Sequence, residues 1–135
     1  MTNAMFQIYG NKIKKFYERG FSKQEVKQEL SKEMNYYEQA LYEVRAKQNK
    51  VQSFTSFEDL YNYDEFGYKQ EFKTYQEFIK YLQACNLSFD NLIEEHLENL
   101  DYRVCYLYTN KNTTMCTRWE IENRIECLGK HLMSI

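Results

Sequence analysis

The chain has 135 residues, 18 Lys and Arg against 20 Asp and Glu for a formal net charge of −2, and no proline at all. This length favours one domain with a real core, and no apolar run approaches the roughly 20 residues that a membrane-spanning helix needs. The opening Met1-Thr2-Asn3-Ala4-Met5-Phe6 lacks the basic start and apolar stretch of an export signal, so the expectation is a cytoplasmic protein with reduced cysteines.

Residues 3–18 predict a first helix with Phe6, Tyr9, Ile13, Phe16 and Tyr17 on one face and Gly10 as its weak point. Gly20 supplies free backbone where that helix ends. Ser22 can then cap the next one, and Glu25, three residues on, completes a capping box. A second helix is expected from Lys23 to about Ser31, with Val26 and Leu30 on one face. A third is expected from near Met34 to Val51, with Tyr37, Ala40, Leu41 and Val44 lined up.

Farther on, Thr55-Ser56 can cap a short helix around Leu60 and Tyr61, and residues 62–70, with Gly67, read as a loop or broken helix. Thr74 with Glu77 opens a helix carrying Tyr75, Phe78, Ile79 and Leu82, which Asn86 ends. Ser88 to Asp90 starts another, with Leu92, Ile93, Leu97 and Leu100 on its apolar face. Residues 102–109 are rich in aromatic and β-branched types and suit a strand, Asn110-Lys111-Asn112 is a turn signal, and Thr113 to Thr117 fits a return strand. Thr117 with Glu120 caps a last helix marked by Ile121, Ile125, Leu128 and Leu132. The predicted fold is mainly α, a single compact domain over 1–135 with one short β-hairpin in the C-terminal third. The alternative is all-α. Within it, residues 11–50 form one module and 54–135 a helical partner or oligomerisation region.

The run Gly20-Phe21-Ser22-Lys23-Gln24-Glu25-Val26, followed by Leu30, Tyr37, Ala40, Leu41, Val44 and Arg45, resembles the helix-turn-helix of sigma-factor and response-regulator DNA-binding domains. The resemblance covers about residues 11–48, and the same apolar spacing also suits a plain helical hairpin. It implies a small sequence-specific regulator that binds double-stranded DNA, acting as a homodimer because one such motif reads only a few base pairs. By the family's spacing Asn35, Tyr36 and Gln39 would meet base edges, Lys23 and Lys32 would meet phosphates, and Arg45 lies farther along the recognition helix.

Charge distribution points two ways. Residues 1–53 carry an excess of four positive charges, whereas residues 54–101 carry 3 Lys against 11 Asp and Glu. A basic first third suits contact with phosphate. The acidic stretch interleaves Asp59, Asp64 and Glu65 with Tyr61 and Phe66, a pattern that offers aromatic anchors and imitates nucleic-acid charge. Small, acidic, Tyr-rich, proline-free chains of this kind are similar to those of phage and mobile elements, so the rival function is an inhibitor or adaptor that binds a host or immune protein.

Catalytic chemistry finds little footing. The only histidines are His96 and His131, and there is no phosphate-binding Gly-rich loop, no nucleophile elbow and no paired metalloprotease histidines. Cys105, Cys116, Cys127 and His131 could supply four zinc ligands, but they lack the paired-cysteine spacing of structural sites and suit buried thiols equally well. The expectation is no enzyme, no metal and no cofactor.

Overall fold

The computed structural model describes residues 3–106 and 113–135. The fold is mainly α. In chain order it runs α1 (Asn3–Glu18), α2 (Lys23–Gln52), α3 (Phe57–Asn62), a 3-10 turn (Asp64–Phe66), α4 (Tyr68–Glu71), α5 (Tyr75–Ala84), α6 (Phe89–Leu100), β1 (Tyr102–Tyr106), β2 (Thr113–Thr117) and α7 (Arg118–Ser134). The two strands pair antiparallel in the register Tyr102 to Thr117 and Tyr106 to Thr113. The expected turn at Asn110-Lys111-Asn112, and the last residues of the expected first strand, lie outside the described residues.

The contacts gather into two compact units. Unit 1 comprises Met1–Val44 and Asp101–Ile135, and unit 2 is Arg45–Leu100. Each has its own core. In unit 1, Tyr9, Phe16, Val26, Leu30, Tyr37, Leu41, Ile121 and Leu128 are buried together with the Cys116 and Cys127 thiols. In unit 2, Leu60, Tyr61, Phe78, Leu82 and Leu92 are buried, with Phe54, Phe57, Phe66, Tyr68 and Phe72 packed around them.

Local chemistry explains the first turn. The Gly20 amide donates to the Tyr17 carbonyl and the Phe21 amide to the Phe16 carbonyl, both at 3.0 Å, and Gly20 takes a left-handed φ of 90°. That is a Schellman ending, and its usual apolar contact is made by Phe16 stacked on Phe21 at 4.9 Å. Two residues on, the capping box closes in both directions. The Ser22 amide donates to Glu25 Oε1 at 3.1 Å, and the Glu25 amide to Ser22 Oγ at 3.2 Å.

The expected second and third helices, however, are one. α2 is continuous from Lys23 to Gln52, with no break near Ser31-Lys32-Glu33. Nothing in that triplet stops a helix, because it contains neither Gly nor Pro and no cap is formed there. Instead the Glu33 carboxylate turns inward and accepts from Lys12 Nζ at 2.7 Å. Val26, Leu30, Tyr37, Leu41 and Val44 thereby form one unbroken buried stripe.

Gly10 does not break α1, which is helical throughout. A Cβ added there would sit 4.0 Å from His131 Cε1, an ordinary contact. Gly10→Ala is therefore expected to stabilise the protein by about 0.5–1 kcal/mol, read as a higher urea midpoint with unchanged slope.

Candidate functional site

Unit 1 presents two features capable of recognition. The first is the outer face of α2. At 100° per residue, Lys32, Asn35, Tyr36, Gln39 and Tyr42 fall on one side of the helix, opposite the buried stripe. The first four line a shallow concavity of about 210 Å³. Tyr42 is 74% exposed, against 38% for Tyr36. The structure thus brings together four of the six residues singled out for DNA contact. Lys23 falls on the other side of α2 by the same count, and Arg45 belongs to unit 2. Glu25 and Glu43 share the outer face with Lys32, so its charge is mixed rather than basic.

The second feature is a cavity of about 380 Å³ walled by α1, α2 and α7. Ala4, Met5 and Ile8 line it with apolar groups, and Tyr9, Lys12, Glu33, Tyr37 and Arg124 with polar ones. Lys12 pairs with Glu33, whose side chain is only 6% exposed. Arg124 Nη1 donates to the Tyr37 hydroxyl at 2.6 Å, and the guanidinium lies 5.3 Å from the centre of the Tyr37 ring. Tyr9 and Tyr37 both line the cavity, and burial pushes both phenols above their usual range. Both stay protonated at neutral pH. Sequence reasoning missed this set. Its one legible signal is Glu33, a carboxylate lying between Leu30 and Tyr37 on the apolar side of α2.

In unit 2 the residues proposed for a protein partner are largely committed to the unit itself. Tyr61 is buried and donates its hydroxyl to the Phe72 carbonyl at 2.9 Å. Phe66 stacks on His96 at 3.8 Å. Asp59 Oδ2 accepts from the Thr55 and Ser56 amides at 2.8 and 3.3 Å, closing the capping box of α3, and the Thr55 amide foremost holds its carboxyl below the usual range. Glu65 is exposed and pairs with Lys47 at 3.2 Å, and Asp64 is exposed.

The histidines fill structural positions. His96 is half-buried, its Nε2 is 2.8 Å from the Tyr68 hydroxyl, and burial lowers its pKa. His131 is buried against Phe6, the rings stacked at 4.2 Å. Cys116 and Cys127 are buried free thiols and Cys85 is an exposed one, while the Cys105 side chain lies outside the described residues. Among the described residues no three His, Cys, Asp or Glu side chains gather as metal ligands do, and no described helix is long and apolar enough to cross a membrane.

Comparison with known proteins finds no matching family model, no matching curated protein and no matching solved structure.

Proposed function

We propose that this protein acts by binding rather than by catalysis, and that the outer face of α2 receives another protein, in the manner of a small inhibitor or adaptor. The observation that carries this reading is the composition of that face: Tyr36 and Tyr42 stand exposed among the amides of Asn35 and Gln39 on a rigid, continuous helix. Tyrosine offers large contact area at low entropic cost, and amides adapt their hydrogen bonds, which is the chemistry protein-binding surfaces favour. A continuous helical face also loses little freedom on docking.

Binding to a specific duplex DNA is the second reading, favoured by the gathering of Lys32, Asn35, Tyr36 and Gln39 around one concavity. Two findings weigh against it. A recognition helix set off by its own turn is missing, since α2 runs unbroken past Ser31, and carboxylates share the face with Lys32.

One comparison separates the two. The full-length protein and its Tyr36→Ala/Tyr42→Ala variant are used as bait in extract of the producing cells and, separately, in a mobility-shift assay with randomised duplex DNA. The expected result is one dominant captured protein that the double variant loses while melting at the same temperature. Asp64→Lys with Glu65→Lys, in unit 2, should leave capture intact. A salt-sensitive shift of DNA that Lys32→Glu abolishes, with no captured protein, would replace this reading by the regulator.

A further inference from the structure

The cavity walled by α1, α2 and α7 has an unbalanced charge. Glu33 is neutralised by Lys12 at 2.7 Å, and both phenols lining the cavity remain protonated. Arg124 is left over. Among the described residues its partners are the Tyr37 hydroxyl and ring, with no carboxylate at ion-pair distance, although it is about half-buried. The phenol offsets part of the desolvation of this half-buried cation but supplies no opposite charge.

Tyr37 holds the guanidinium in place: it is 1% exposed, and its hydroxyl accepts from Arg124 Nη1 at 2.6 Å. A neutral phenol balances no charge, so among the described residues Arg124 has no anion where it lines the cavity with Ala4, Met5 and Ile8.

We infer that this cavity binds a small organic monocarboxylate, its head on the Arg124 guanidinium that Tyr37 holds and its apolar body against Met5 and Ile8. The volume of about 380 Å³ lies at the low end of ligand pockets. One carboxylate balances the single surplus charge. A phosphate dianion would leave one negative charge uncompensated beside Glu33, which selects the carboxylate. The site is independent of the α2 outer face, which points the other way around the helix.

The test titrates the full-length protein, labelled at methionine and isoleucine methyl groups, with hexanoate, benzoate, hexanol and phenyl phosphate. The two carboxylates should shift the Met5 and Ile8 methyl resonances saturably. Hexanol and phenyl phosphate should each bind at least roughly tenfold more weakly than the matching carboxylate. Tyr37→Phe, which releases the guanidinium from its positioning bond, should weaken hexanoate roughly tenfold while leaving hexanol unchanged. Arg124→Met should abolish selection of hexanoate over hexanol. If Arg124→Met does not fold, Arg124→Lys serves, with weakened but not lost preference. Equal binding of hexanol, tighter binding of phenyl phosphate, or no saturable shift of either methyl with a carboxylate would each overturn the inference.

Discussion

Phe78→Ala should destabilise the protein by about 3–5 kcal/mol, the cost of truncating a fully enclosed aromatic side chain. Phe78 is completely buried in unit 2, and its ring centre lies 4.7 Å from that of Tyr68, 5.5 Å from Tyr61, 5.6 Å from Phe72 and 6.3 Å from Tyr75. These four rings cannot all close over the space that alanine leaves, because two of them are anchored elsewhere. Tyr61 is held by its bond to the Phe72 carbonyl, and Tyr68 by its bond to His96. Phe78→Leu keeps most of the volume and should cost markedly less, below about 1.5 kcal/mol after repacking. Urea denaturation followed by circular dichroism reads both. A loss under about 1 kcal/mol for the alanine variant would mean that this cluster is not a packed core.

The second large effect is expected at Lys32, where two substitutions should part company. Lys32→Pro should cost about 3 kcal/mol or more, since proline removes the amide donor and its ring collides with the carbonyl four residues earlier, at Gln28. Lys32→Ala should be close to neutral, because the side chain is exposed and alanine favours helix. The pair distinguishes a continuous α2 from a chain that turns near Ser31–Glu33, where proline would be tolerated. Thermal melting of the two variants beside the parent checks it directly.

Much of the fold is legible in the sequence because helix ends are written locally. Ser22 with Glu25, Ser56 with Asp59, Thr74 with Glu77 and Thr117 with Glu120 each put an acceptor side chain three residues before the amide it receives, and those bonds form. Gly20 is equally plain, and so is the change to a strand pattern at Tyr102. The error at Ser31–Glu33 has the opposite cause. Three polar residues in a row look like a turn, but Glu33 is buried by Lys12, a partner 21 positions away. Such long-range pairings leave no periodic trace. The Arg124 and Tyr37 bond spans 87 positions, so the cavity it lines could not be read from spacing. Asp59 shows a related confusion: an acidic residue that looks available for a partner is taken up by its own helix start.

The division of the chain also bears on the order in which it folds. Unit 2 is one uninterrupted stretch, Arg45–Leu100, whereas unit 1 joins the two outer parts of the sequence. Its α1 and α7 meet through groups as distant as Phe6 and His131, 125 positions apart. Closing so long a loop through disordered chain is entropically slow. Once unit 2 has condensed, much of that intervening length is already drawn together, and the search is shorter. During synthesis unit 1 must also wait for α7 to emerge, so α1 and the first half of α2 carry an unpaired apolar stripe until then. Mutations that slow the condensation of unit 2 should therefore prolong the exposure of a surface they do not touch, and show themselves first as aggregation of nascent chains.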